Sequence, residues 1–179
     1  MIKSFTYPNI FRLSDGHYMV NTVTDEMLSL MWVRMSDNQR EEFEIVYGKD
    51  KAEEMFRAEV RHADHAAALF CGTDMTCIMW TEWIRIGGFN DGKSVRVLGC
   101  VCSDFAVKHT INFVKHSKEV RAAFELMEPS GVHEIYVMIT EDFKQSRNWA
   151  VKACGFSECC LVNANGKKFV MYKHIIGED

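Results

Sequence analysis

The segment from residue 134 to residue 174 constrains the fold more than any other part of the sequence. An apolar run, EIYVMIT, is followed by an amphipathic pattern, KQSRNWAVKACGF, and then by two runs that Asn-Gly separates. The first run is typical of a strand buried on both faces. Gly155 and Phe156 mark a helix end, because glycine adopts a positive φ there and the next apolar residue folds back under the helix. Asn-Gly between two strand-like runs is typical of a hairpin, so the segment predicts a strand, a helix and a hairpin.

The first part of the chain predicts helices after a short extended start, in which HYMVNTV has the alternation of a strand. Thr24 or Asp25 can cap a helix whose apolar residues recur at helical spacing. Ser36 and Asp37 are expected to interrupt it, so that a second helix ends at Gly48. A third amphipathic pattern follows and is expected to stop near residues 62–66.

Strand-like runs dominate from residue 65 to residue 102 and predict the main part of a sheet. A long amphipathic pattern then starts at Ser103 or Asp104, with an expected break near His116 and Ser117. The strand, helix, strand and helix order implies a parallel pair of strands with a crossover helix. The chain is therefore predicted to be α/β (α+β), one domain over residues 1–179, with a mixed, mostly antiparallel sheet whose central parallel pair is flanked by helices.

Composition and charge narrow the classes of function. The net charge is -4, which argues against a general nucleic-acid binder. A basic, amphipathic stretch from Lys108 to Arg121 is best explained as a solvated helix face. Contact with nucleic-acid phosphate, with CoA phosphate or with an acidic protein stays open as an alternative. No apolar run approaches the ~20 residues that cross a bilayer, so no membrane span is predicted.

The cysteines predict a reducing compartment. There are seven of them, an odd number, and the N-terminus lacks a signal-peptide pattern, so free thiols in a cytoplasm are expected. Cys100 and Cys102 would share one face of a strand. As zinc ligands they would need two further partners, for which Cys159, Cys160 and His109 are candidates. Buried free thiols are the preferred interpretation, and no metal is predicted.

The order of elements resembles the GCN5-related N-acetyltransferase (GNAT) fold. The residues that carry the resemblance are EIYVMIT, KQSRNWAVKACGF and CCLVNANGKKFVMYKH. It implies an acetyl-CoA site along the central strand and the start of the next helix, and near the beginning of the last helix. The positions that it implies for cofactor contacts are Gly99, Cys100, Val101, Cys102, Ser103, Phe143 and Ser146. Glu82, in a predicted strand, is the candidate general base, although a solvated strand residue is the preferred interpretation.

The layout is also similar to the internal virion protein A family of short-tailed bacteriophages. The matching features are a helical start, the stretch WTEWIRIGG, the stretch LGCVCSDFAVKHTINFVKHSKEV and the Ser-x-x-Trp helix before Gly-Phe. This resemblance covers about residues 20 to 160 and implies a phage origin. A protein partner, either a virion component or a host protein, and a location in the host cytoplasm, with the virion as a second location, follow from it.

Departures from the acetyltransferase pattern predict a degenerate acyl-CoA site. The stretch CVCSDFAVKHT has no glycine after Gly99, and Asp104 would place a carboxylate where a pyrophosphate should bind. Val151 stands where many members carry a tyrosine that protonates the leaving thiolate. Together with the resemblance to the phage family, these departures imply a phage-encoded, GNAT-fold protein with a virion-associated or assembly role. The alternative is an active N-acetyltransferase that transfers acetyl from acetyl-CoA to an amine, with backbone N–H groups near Gly99 to Cys102 polarising the carbonyl.

Overall fold

A computed structural model describes residues 10–13, 16–86, 93–108, 110–128, 131–164 and 166–177. Within these ranges the chain forms strands and helices in the order β1 (Ile10–Arg12), β2 (His17–Val20), α1 (Asp25–Arg34), α2 (Asp37–Tyr47), α3 (Ala52–His62), β3 (His65–Cys71), β4 (Asp74–Arg85), β5 (Ser94–Cys102), α4 (Asp104–Lys108), α5 (Thr110–Met127), β6 (Glu134–Thr140), α6 (Lys144–Lys152), β7 (Ser157–Ala164) and β8 (Lys167–Ile175). The three N-terminal helices agree with the prediction. The side chain of Thr24 caps α1 by accepting a hydrogen bond from the N–H of Met27.

All of these strands join one sheet, in the order β1-β2-β3-β4-β5-β6-β8-β7. The pair β5 and β6 is parallel, and the other neighbouring pairs are antiparallel. The helices α4 and α5 form the crossover between the two parallel strands. The predicted α/β fold with a mixed, mostly antiparallel sheet and a central parallel pair is therefore confirmed.

The predicted helix break near His116 and Ser117 is wrong. Both residues lie inside α5, which runs without a break from Thr110 to Met127. Ser117 is buried, and its hydroxyl oxygen accepts a hydrogen bond of 2.9 Å from the indole N–H of Trp149 in α6. A serine inside a helix weakens the helix when its hydroxyl competes for local backbone groups. Here a tertiary partner engages the hydroxyl, which the sequence pattern alone does not reveal.

The sheet lies between two helical layers. One face packs against α1 and α3, where Met31, Phe56 and Ile78 belong to one buried cluster. The opposite face packs against α5 and α6 through a second cluster that includes Phe124 and Ala150. Each of these helices places its apolar stripe against the sheet, as the 3.6-residue period of the sequence predicts.

The Gly-Phe corner after α6 is a core feature. Gly155 has a φ of +73°, and the N–H of Phe156 donates to the carbonyl of Ala150, which closes the helix end. The Phe156 ring is buried, with its centroid 5.7 Å from that of Phe124 and 5.3 Å from that of His174. This corner therefore fixes α6 onto the sheet, which in turn sets the position of the residues at the start of α6.

Candidate active site

The strands β5 and β6 separate beyond a single register pair, Val97 with Tyr136, in the described part of the sheet. Each strand continues past this pair, β5 to Cys102 and β6 to Thr140. Because the strands diverge, a cleft of about 450 Å³ opens between residues 97–102 of β5 and residues 137–139 of β6. Strand ends that diverge within a sheet expose backbone N–H and C=O groups to the cleft, and such groups need partners.

Most of the predicted site residues meet at this cleft. The predicted site residues that line the cleft are Glu82, Gly99, Cys100, Val101, Cys102 and Ser146. Two predicted cofactor residues lie elsewhere. Ser103 is buried, and its hydroxyl oxygen accepts a hydrogen bond from the N–H of Ala106 at the start of α4. Phe143 precedes α6 and packs against the core cluster on the α5 and α6 face.

Gly99 leaves room for an aromatic ring. It lies directly opposite Trp80 in the β4–β5 register, and both residues line the cleft. A Cβ atom at this position would lie only 2.0 Å from Cε2 of the Trp80 indole. The indole therefore covers the space above Gly99, a known way in which an aromatic residue compensates for a glycine in a strand.

The helix α2 reaches across the cleft and engages the free edge of β5. The side-chain amide of Gln39 donates from Nε2 to the carbonyl of Cys100 at 3.2 Å. Its Oε1 atom accepts from the N–H of Cys102 at 2.8 Å. The amide thus pairs with the strand as another strand would. The N–H of Cys102 is among the backbone groups that the sequence analysis assigned to acetyl-CoA.

Glu42, one helical turn further along α2, binds the opposite side of the cleft. Its carboxylate accepts hydrogen bonds from the N–H of Thr140 at 2.9 Å and from the Thr140 hydroxyl at 3.0 Å. Burial raises the pKa of Glu42, and these two hydrogen bonds oppose the rise. Gln39 and Glu42 together connect the ends of the two diverging strands through one helix.

Two glutamates, Glu59 and Glu82, and the hydroxyl of Tyr47 line the polar part of the cleft. The Tyr47 hydroxyl donates a hydrogen bond to the Glu59 carboxylate, and Glu82 also lines the cleft. Burial raises the pKa of Glu59 to about 7, and the negative charge of Glu82 contributes to the rise. Burial and the charge of Asp64 raise the pKa of Glu82 as well. A carboxylate with a pKa near neutrality is suited to accept a proton at physiological pH.

The raised pKa of Glu59 makes stability depend on pH. As the pH rises from about 4.5 to about 7, an unfolded glutamate releases its proton while the folded Glu59 keeps it, so stability falls. Across this pH range we expect the free energy of unfolding of wild type to fall by about 2–3 kcal/mol relative to that of Glu59→Gln, because glutamine does not titrate. The glutamine side chain still accepts the hydrogen bond from Tyr47. Urea unfolding at a series of pH values measures this difference. Glu54→Gln, at an exposed position of the same helix, controls for the loss of one negative charge. A constant difference between wild type and Glu59→Gln at all pH values would contradict the prediction.

The sequence analysis did not identify the contribution of α2, although a signal was present. Five residues that face the cleft, Gln39, Glu42, Phe43, Val46 and Tyr47, recur at helical spacing. This pattern also suits a helix that packs on a core. None of the residues of α2 is fully buried, since the stripe faces the cleft. The sequence around Glu59 did not indicate a role in the site, because its partners Tyr47 and Glu82 lie in other elements, α2 and β4.

The entrance to the following helix lacks a phosphate-binding loop in its described part. Asp104 begins α4 and pairs with Lys108 in the same helix. Arg121 pairs with Glu125. Of the other members of the predicted basic stretch, His109 lies outside the described residues, as do the side chains of Lys115 and His116. Val151 is 44% exposed and does not line the cleft.

Comparisons with solved structures identify the fold. The ribosomal-protein alpha-N-acetyltransferase RimL, solved with coenzyme A, has a TM-score of 0.58 at 14% identity and covers 96% of this chain and 100% of its own. An aminoglycoside N(6')-acetyltransferase from Legionella pneumophila has a TM-score of 0.63 at 8% identity, covering 92% and 94%. The aminoglycoside acetyltransferase AAC(6')-Ib, solved with coenzyme A, has 0.60 at 13% identity, covering 88% and 93%. The chain has a GNAT-like fold.

The comparisons by sequence give no further assignment. Searches for a matching protein family and for a similar curated protein both find no match. In the described residues, no helix combines the length and apolar character that a membrane crossing requires.

Proposed function

We propose that the protein is an N-acyltransferase that uses acetyl-CoA and acts on a cationic amine. The observation that carries this proposal is the cleft between β5 and β6, which joins an apolar slot to the carboxyl groups of Glu59 and Glu82 beside Tyr47. Negative charge beside an apolar slot favours an ammonium group over a neutral or anionic acceptor. The fold that the chain shares with acetyltransferases of known structure supports the same reading.

Side chains in the cleft would remove a proton from the acceptor amine. An amine attacks only in its neutral form, so an ammonium substrate must first lose a proton. Glu59, with a pKa of about 7, is the preferred proton acceptor at one carboxylate oxygen, and the Tyr47 hydroxyl orients that carboxylate. Glu82 would hold the cation beside it and remains the second candidate base. Acetyl-CoA would supply the acyl thioester.

The cleft suits one end of acetyl-CoA better than the other. The slot along Gly99 to Cys102, with Ser146 opposite, suits an extended chain that pairs with a strand edge. The diphosphate end fits poorly, because the Asp104 carboxylate lies at the start of α4 and would repel it. The Gln39 side chain already forms hydrogen bonds with the N–H of Cys102 and the carbonyl of Cys100. Acetyl-CoA could bind to these groups only after the Gln39 side chain moves.

The second candidate is an interaction or assembly role with a closed, degenerate site, including the virion-associated role of a phage protein. The hydrogen bonds of Gln39 favour it, because they satisfy the strand edge without any ligand. In this reading the fold serves as a scaffold for a protein partner in the host cytoplasm or the virion. The two candidates differ in whether the cleft binds a thioester donor.

Calorimetric titration with acetyl-CoA at low salt distinguishes the two candidates. Under the first, wild type binds, and Gln39→Ala binds about tenfold more tightly because two backbone groups become available to the ligand. Asn38→Ala is the matched control, since Asn38 also lines the cleft but its side chain bonds to Gln145 and not to the backbone of β5. Absence of heat with all three folded proteins at about millimolar ligand would reject the first candidate. Pull-down experiments from infected cells would then test the second.

A further inference from the structure

Three cysteine sulfur atoms converge on one face of the sheet. Cys77 on β4 lies directly opposite Cys102 on β5, and Cys100 is two residues from Cys102 on the same face. The three Sγ atoms lie within 4.8 Å of one another, and Cys77 and Cys100 are 3.3 Å apart. The sequence analysis considered Cys100 and Cys102 as a pair but did not identify Cys77 as the third member. We call these residues the thiol triad.

The surroundings of the thiol triad are apolar. Cys77 is fully buried and Cys102 is 4% exposed, within the cluster that packs against α5 and α6. A net charge in such apolar surroundings carries a cost of desolvation, so a neutral complex is favoured there.

The charge balance selects the ion that such a site can hold. Three thiolates around Zn²⁺ leave one net negative charge, and around Cu⁺ they leave two. A trivalent centre leaves none, which avoids the cost of burying a net charge in apolar surroundings. Structural zinc also takes four ligands, with sulfur atoms about 3.8 Å apart at a Zn–S length of about 2.3 Å, and the triad offers three. Three soft ligands and an apolar shell favour a three-coordinate thiophilic centre.

We propose that the thiol triad binds a trivalent metalloid hydroxide such as arsenous acid. Three S–H groups condense with As(OH)₃, three As–S bonds replace three As–O bonds, and three water molecules leave. Arsenic stays trivalent, so no oxidant or reductant takes part, and the product is neutral. Cys100 is partly buried and lines the cleft, which gives the hydroxide a path to the buried sulfur atoms. This site does not depend on acyl transfer.

The test uses the full chain, reduced with a phosphine, and arsenite as the probe. Arsenic K-edge X-ray absorption on the wild-type complex is expected to show three sulfur neighbours and no oxygen, with one arsenic atom per chain. In calorimetry, Cys77→Ala and Cys102→Ala are each expected to weaken binding by more than the roughly 10- to 100-fold that loss of an outer partner costs. Zinc, the second probe, is expected to bind wild type more weakly than arsenite does.

The matched control is the double variant Cys159→Ala with Cys160→Ala, which removes two adjacent cysteines of β7 and keeps the thiol triad. It is expected to bind arsenite as wild type does. An arsenic centre with two sulfur neighbours and a remaining oxygen would overturn the proposal, as would loss of binding in this control. The absorption measurement needs no substitution, so the proposal stays testable even if the triad variants fold poorly.

Discussion

Replacing Arg96 with methionine is expected to lower the free energy of unfolding by about 3–5 kcal/mol. The Arg96 side chain is 1% exposed and donates to Glu128 at 2.7 Å, to Asp64 at 2.5 Å and to the Thr81 hydroxyl at 2.8 Å. The Glu128 side chain is also 1% exposed, and its Oε1 atom has no hydrogen-bond partner in the described residues. Methionine preserves the apolar stem but leaves the Glu128 carboxylate without a counter-ion, which is the costly case for a buried pair.

Urea unfolding measures the loss, and Arg61→Met is the control. Arg61 also binds a carboxylate, that of Asp25, but its side chain is 51% exposed and that of Asp25 is 68% exposed. An exposed pair of this kind contributes less than about 1 kcal/mol. The double variant Arg96→Met with Glu128→Leu is expected to recover part of the loss, since it removes the orphaned charge. Equal losses for the two arginine variants would show that burial does not set the cost.

Replacing Gly99 with alanine is expected to cost about 3 kcal/mol or more, at the upper end for added volume in a packed core. The new Cβ would lie 2.0 Å from the Trp80 ring, and the 3% exposure of Trp80 shows how little room the indole has. The ring contacts Phe56 edge to face, with centroids 6.0 Å apart, so it cannot move without disturbing the α3 side of the core.

A double-mutant cycle isolates this contact. Trp80→Leu alone is expected to destabilise the protein by leaving a cavity above Gly99. In that background Gly99→Ala is expected to cost much less, because the methyl group fills part of the space, and the coupling energy measures the clash. Additive losses in urea unfolding would show that the glycine is required for another reason, such as the backbone geometry of β5.

The sequence predicted the elements of this fold well because the relevant signals are local. The apolar run of β6, the Gly155 stop and the Asn-Gly turn each involve a few neighbouring residues. The parallel pair followed from the order of those elements. The end of β5 was located in the same way, and most of the residues expected there do line the cleft.

What the sequence did not predict depends on residues that meet only through strand register or helix placement. Trp80 and Gly99 are partners because of the β4–β5 register, and the same register brings Cys77 to Cys102. Gln39 reaches Cys102 from a position 63 residues earlier in the chain. The spacing of residues within one helix or strand does not predict such contacts between elements. Phe143, which the sequence analysis assigned to the cofactor, does not line the cleft, because it precedes α6 and packs against the core cluster.

The absence of fully buried residues in α2 has a consequence for how the protein moves. The Phe43 ring of α2 packs edge to face against Trp32 and Phe56, but no side chain of the helix is fully buried. A helix that buries so little can detach at a fraction of the free energy of global unfolding. The helices α1 and α3, on either side of α2 in the chain, each bury side chains in the core and would stay in place. Brief local opening of α2 would therefore expose the edge of β5 while the rest of the sheet remains native. The resting structure and the form that admits a ligand would be two populations of one folded protein.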